Sequence, residues 1–180
     1  MATRLTSVCL LFLLCIACKN RLERHGELFA EVMKTPGGLF RGLNLGDSPD
    51  VVQQEETGTP TEQNENSITY EMSIGGTGTC KITYNFENNG LYEILVEAGF
   101  EKSRDGLDLL AGFREYFNEK YGPYTEERGS LVWEIKSKGP ENGIILEMTD
   151  ESEFSDFGLW SLAIYKPAAQ SKRTDSLMVN

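Results

Sequence analysis

The sequence predicts an α+β fold: a tandem duplicated unit, each copy a helix packed on a three- to four-stranded antiparallel sheet. Three observations lead there. Apolar residues alternate at period two in two blocks, Ile68 to Val96 and Leu131 to Ile164, and helical signals precede each block. The two blocks also match one another in order. Ser67-Ile-Thr-Tyr-Glu-Met72 corresponds to Ser130-Leu-Val-Trp-Glu-Ile135 at an offset of 63, and Gly90-Leu-Tyr-Glu-Ile-Leu-Val96 to Gly158-Leu-Trp-Ser-Leu-Ala-Ile164 at an offset of 68. Gly58, Thr61 and Glu62 stand to Gly122, Thr125 and Glu126 at an offset of 64. Finally, 39% apolar and 10% aromatic residues in 180 suffice to fill a core.

The chain opens with Met1-Ala-Thr-Arg4 and continues apolar from Leu5 to Ala17 except for Thr6 and Ser7. As a helix this stretch spans about 20 Å, against about 30 Å for a bilayer core, so residues 1–17 read as a signal peptide rather than a membrane span. Its end, Leu14-Cys15-Ile16-Ala17-Cys18, resembles the lipobox of bacterial lipoproteins. That resemblance implies acylation of Cys18 (palmitate included) as the new N-terminus, with an ordinary cleaved signal as the alternative. Cys9 and Cys15 would leave with the signal and Cys18 would carry lipid, so Cys80 alone remains and no disulfide framework is expected. Cys80 lies in an alternating run and reads as a small buried hydrophobe.

The net charge is −11, and sequence-independent nucleic-acid binding is excluded because it needs a basic surface. Residues 18–39 read as a lipidated tether with a short helix over 27–34, broken by Thr35-Pro36-Gly37-Gly38. Lys19, Arg21 and Arg24 follow the anchor closely and suit either anionic headgroups or a solvated tether.

The first unit is expected over 40–101. Asp47-Ser48-Pro49-Asp50 opens a helix through Val51, Val52 and Glu55 to Gly58, with Pro60 as a stop. Ile68, Tyr70, Met72 and Ile74 then alternate, and Gly75-Gly-Thr-Gly78 turns the chain. Cys80, Ile82, Tyr84 and Phe86 follow; Asn88-Asn89-Gly90 makes a hairpin, and Tyr92, Ile94 and Val96 the next strand. The second unit is expected over 102–166. Ser103 or Asp105 caps a helix whose apolar face is Leu110, Phe113, Phe117 and Tyr121, ended by Gly122-Pro123. Its strands centre on Leu131-Trp133-Ile135, Ile144-Leu146-Met148 and Trp160-Leu162-Ile164, and residues 167–180 read as a flexible tail. Alternation makes one face of each sheet apolar, to be covered by the unit's own helix, and leaves the other polar face to solvent or a partner.

Gly42-Leu-Asn-Leu-Gly46-Asp-Ser48-Pro-Asp-Val51 resembles the helix-opening pattern of small outer-membrane lipoproteins of the SmpA/OmlA kind. The tandem arrangement over Phe40 to Lys166 is similar to the β-lactamase inhibitory protein. These resemblances imply a fold and an extracytoplasmic protein-binding role, and they carry over no catalytic residue.

The catalytic and metal-ligating residue types agree. His25, the sole histidine, falls in the tether, where neither a triad nor a zinc site has partners to build on. Gly75-Gly76-Thr77-Gly78 is a turn, because a phosphate loop would lead into a helix. Glu71 and Glu134 occupy matched positions on polar strand faces and read as solubilising acids; Tyr70, Trp133, Tyr92 and Trp160 read as core, with a ligand platform as the alternative. The acidic stretch 150–156 is expected as an elongated hairpin tip. Within it Phe154, Asp156 and the adjacent Phe157 are the candidate partner-binding residues, apolar anchors ringed by charge. The sequence therefore points to a lipid-anchored interaction module of the bacterial cell envelope. Its outer-membrane, periplasmic or surface face would meet an envelope or extracellular protein, without enzyme activity, metal or cofactor. A small-molecule or carbohydrate-binding envelope lipoprotein is the alternative.

Overall fold

Period-two alternation fixes which side of each of the six longer strands is greasy, and the pairing register then aligns those sides across the sheet. In the computed structural model, which describes residues 21–136, 143–152 and 157–167, eight strands form one antiparallel sheet in the order β1-β2-β3-β4-β8-β7-β6-β5. They are β1 (Glu62–Gln63), β2 (Ser67–Ile74), β3 (Gly78–Glu87), β4 (Gly90–Phe100), β5 (Thr125–Glu127), β6 (Ser130–Ile135), β7 (Ile144–Asp150) and β8 (Gly158–Tyr165). One row of facing residues runs Tyr70, Ile82, Val96, Leu162, Met148, Leu131; the next runs Ile68, Tyr84, Ile94, Ile164, Leu146, Trp133. Both rows belong to a single core, so the architecture is α+β with one continuous sheet, not a separate sheet for each half of the chain. The edge strands β1 and β5 bring each half to four, the upper end of the three to four expected, at places the sequence pattern does not mark. All five of their residues are exposed, which left no apolar alternation to read.

Turn chemistry sets the register. Asn88 (φ 51°) and Asn89 (φ 62°) form a two-residue loop between Glu87 and Gly90, and Arg128 (φ 52°) and Gly129 (φ 88°) do the same between Glu127 and Ser130. Left-handed conformation at both central residues matches the twist of the flanking strands. A bulge at Asn85/Phe86 pairs Phe86 with Leu91, so Leu91 takes the buried place that strict alternation assigned to Tyr92. Tyr92 is half-buried.

On the apolar side lie the helices α1 (Glu27–Met33), α2 (Pro49–Glu55) and α3 (Ser103–Tyr121). Helix α2 stops at Glu55, short of the expected Gly58, and its N-cap Ser48 makes no side-chain cap bond. The Asp47 carboxylate instead accepts the Asn44 backbone N–H at 2.7 Å. Helix α3 starts at Ser103 itself, and neither Ser103 nor Asp105 is its N-cap, which is Lys102. The stripe it buries is Leu109, Phe113, Tyr116 and Phe117 with Gly106 and Gly112; Leu110 and Tyr121 sit at its margin.

Two expectations give way. Each half was expected to shelter under its own helix, but α2 has seven residues and buries only Val52, too little to cover four strands. Helix α3 lies over β8, β4 and β6, at the middle of the joint sheet, and the first half is covered by α1 and the loop after it, with Met33, Phe40 and Leu43 fully buried. The stretch from Leu22 onward is therefore no tether. Leu22 is 2% exposed, and Phe29, Val32 and Met33 are fully buried in the same core.

Candidate functional site

The helix side is held by two polar devices. In the first half Arg41, in a left-handed conformation (φ 52°), points into the core and makes a two-pronged bond to Glu56, Nε to Oε1 and Nη2 to Oε2, both 2.7 Å. Its Nη1 donates to the Val32 carbonyl at 2.6 Å, and the Tyr84 hydroxyl donates to Glu56 Oε1. Burial by itself lowers the Arg41 pKa, but the hydrogen bond and charge of Glu56 outweigh it and hold it above the usual value. Burial, together with the Glu56 charge, pushes the Tyr84 hydroxyl well up, and the buried Cys80 thiol is pushed up to about 12. This cluster has no access to a substrate; it ties α2, the 39–43 loop and β3 together.

The second device is at the crossing of the N-terminal segment over α3. Gly112 allows it, because a Cβ there would run into the His25 carbonyl oxygen. His25 is 5% exposed, its ring edge-on to Phe29 (5.4 Å) and Tyr116 (5.6 Å). Nδ1 lies 3.2 Å from Glu115 Oε2, and Nε2 accepts the Arg24 Nε–H at 3.0 Å. Arg24 also bonds Glu119, whose Oε2 is 3.7 Å from Nε2. The sequence reading placed His25 in a tether without partners; packing supplies both a fixed ring and acidic neighbours. The carboxylates come ninety residues away, and the legible trace of them was the i, i+4 spacing of Glu115 and Glu119 on one helix.

Chemically the arrangement is saturated. His25, Glu115 and Glu119 could each offer a ligand atom within 4.8 Å of the others, but the Arg24 guanidinium already bridges Glu119 and His25 Nε2 as the resident cation. No hydroxyl or thiol side chain bonds to either ring nitrogen, so the nucleophile of a triad is missing among the described residues. An open groove of about 740 Å³ runs beside it, lined by Arg24, Glu27, Asp108, Arg114 and Glu115 among others.

The opposite face of the sheet carries no described helix. Glu71, Lys81, Glu97, Ser161, Thr149 and Ser130 form one row across six strands; Thr69, Thr83, Leu95, Ala163, Glu147 and Val132 form the next. The rows are laced by short-range polar contacts: Lys81 Nζ to Glu97 at 3.6 Å, Ser130 to Thr149 at 2.8 Å, Tyr165 hydroxyl to Glu147 at 3.1 Å. Leu159 stands 39% exposed on this face beside Gly99 and lines a depression of about 450 Å³ with Glu71, Lys81 and Glu97. Glu71 and Glu134 are both exposed here, as solubilising acids would be.

Of the sequence-predicted site residues, Cys18, Phe154 and Asp156 lie outside the described residues. Phe157 is described and is 58% exposed where β8 begins. The neighbouring Gly158 packs against Gly106 of α3, with 3.1 Å from the Gly158 Cα to where a Gly106 Cβ would stand, and Leu107 beside it is 50% exposed. Sequence reasoning missed Leu107 and Leu159, since each is an ordinary apolar residue in an apolar pattern. Trp133 (1% exposed) and Trp160 (2%) are core: Trp160 stacks on Phe113 at 4.9 Å, and the Trp133 indole N–H is shared between Asn118 Oδ1 and the Gly122 carbonyl, both 3.1 Å away. An aromatic platform built on these rings has no surface to offer.

No helix among the described residues is long and apolar enough to cross a membrane. Comparison with protein-family models, with curated proteins and with solved structures finds no match to this chain.

Proposed function

We propose that this protein is a lipid-anchored interaction module of the cell envelope, held through Cys18 and meeting a protein partner with the open face of its sheet. What carries the reading is the one-sided build: the described helices all lie against one face, and the other presents the Glu71–Lys81–Glu97–Ser161 row around the exposed Leu159. An apolar contact ringed by charged groups is a common layout of recognition surfaces. The signal-like N-terminus and the lipobox-like ending at Cys18 support the location.

We also infer that the two halves arose by duplication of one unit. The sheet order is a mirror about the β4–β8 seam, each half running outward from its last strand to its first. The matched residues take matched places: Ser67 and Ser130 open β2 and β6, Gly90 and Gly158 open β4 and β8, and Tyr70 and Trp133 both enter the core.

Metabolic palmitate labelling tests the anchor. Label on the wild-type chain and none on Cys18→Ser is expected, and an unlabelled wild-type chain overturns the anchored reading. The binding half is tested by Leu159→Glu: loss of an envelope partner that Arg114→Glu, on the helix side, retains is expected. Equal retention by both variants overturns the assignment to this face.

A further inference from the structure

We infer that the folded body rests directly on the bilayer by its helix side, near the C-terminal half of α3, and that its open sheet face is thereby turned away from the membrane. The inference rests on the reading of Cys18 as the acylated residue, and it adds which side meets lipid. Its basis is the place where the chain enters the core. Leu22 is 2% exposed and belongs to the hydrophobic core, and His25 is locked between Phe29 and Tyr116. Three residues, and so four Cα–Cα steps, separate Cys18 from Leu22. Whatever their conformation, four steps reach at most about 14 Å, so a lipid on Cys18 holds this part of the protein within that distance of the headgroups. The acyl chains cannot enter the bilayer while the body floats free above it.

The side so held is defined by the crossing over α3. Arg24 bonds Glu119, the His25 carbonyl abuts Gly112, and Arg21 lies close enough to Tyr116 and Lys120 for its charge to act on both. Arg21 and Lys120 are cations facing the same region, while Glu115 and Glu119 beside them engage His25 and Arg24. A mixed surface of this kind has no strong attraction for anionic lipid of its own, so the contact comes from covalent reach and not from charge. The far face of the sheet is at least one helix diameter, about 10–12 Å, farther from the membrane. Glu71, Lys81 and Leu159 then face outward, where a partner can approach.

The test uses the full chain, acylated in vivo and reconstituted into phosphatidylethanolamine–phosphatidylglycerol vesicles that carry a headgroup spin label. A bimane is placed at Arg114→Cys on the helix side or Thr79→Cys on the open face; Cys80 is buried and stays unlabelled. Several-fold stronger quenching at position 114 than at 79 is expected, and a twenty-residue Gly/Ser insert after Lys19 should collapse the difference. Equal quenching at both sites, or stronger quenching at 79, overturns the orientation. Vesicle flotation separates the two readings: a chain that floats but shows no contrast fails the orientation alone. A chain that does not float, or floats equally well as Cys18→Ser, removes the anchor and the orientation with it.

Discussion

The two halves of the sheet share a strand order but are closed by different chemistry. The β5–β8 half lies beneath α3, nineteen residues long, whose Phe113 and Phe117 meet Trp160 and Trp133 in ring contacts of 4.9 and 5.5 Å. The β1–β4 half has the seven-residue α2, and its cover is assembled from α1, the 39–43 loop and a buried Arg41–Glu56 pair. One half is held by aromatic packing, the other by a buried charge pair that fastens irregular chain. The comparison teaches that one strand order can be closed by two different lids, provided each satisfies the backbone and side chains it buries.

Phe113→Ala should have the largest effect. The ring is fully buried and touches Phe29, Phe40, Phe117 and Trp160, so a loss of about 3–5 kcal/mol in urea unfolding is expected. Arg41→Met should cost a comparable amount, about 3–5 kcal/mol, because Glu56 is left in the core without its countercharge, with the Tyr84 hydroxyl as its remaining donor. The difference between the halves shows in the rescue. The double variant Arg41→Met, Glu56→Leu should recover most of the loss, whereas no second change repairs the hole left by Phe113. A double variant as unstable as the single one would mean that the pair itself, and not the orphaned acid, carries the effect.

Gly112→Ala should cost less, about 1–3 kcal/mol, by forcing the His25 segment off α3. Hydrogen exchange would then rise over residues 22–33 and stay unchanged in β7 and β8.

Much of this was legible in the chain, and unevenly so. Six strands were readable because they alternate, and the Asn88-Asn89-Gly90 turn because Asn and Gly tolerate the left-handed conformation that tight two-residue hairpins use. The cover of the first half was not, since Leu22, Phe29, Phe40 and Arg41 lie in short segments without a period, and their partners Tyr116, Phe113 and Glu56 are distant in sequence for all but the last. For the same reason His25 read as a linker residue. The open sheet face was foreseen as polar, but not the exposure of Leu159, which a bare alternation pattern does not distinguish from a core leucine.

In alkali the first half should loosen through Cys80. Its thiol, pushed up to about 12 by burial, stays protonated in the folded chain while an unfolded one ionises near 9.0, so the unfolded state binds fewer protons and stability falls as pH rises through that interval. Cys80→Ala should flatten this slope, leaving the part that Tyr84 contributes. The smallest effect is expected on the open face: Lys81→Ala removes an ion pair to Glu97 whose partners are both well exposed, a change below about 1 kcal/mol that 0.5 M salt should erase.

The central claim, that the open sheet face is where this protein meets its partner, is tested most directly by photo-crosslinking in intact cells. A benzophenone amino acid would stand in turn at Thr79, Lys81 and Leu159 on that face and at Asp108 and Arg114 on α3. A discrete protein adduct from the three sheet positions and none from the two helix positions is the predicted result. Adducts from the helix positions alone would contradict the account.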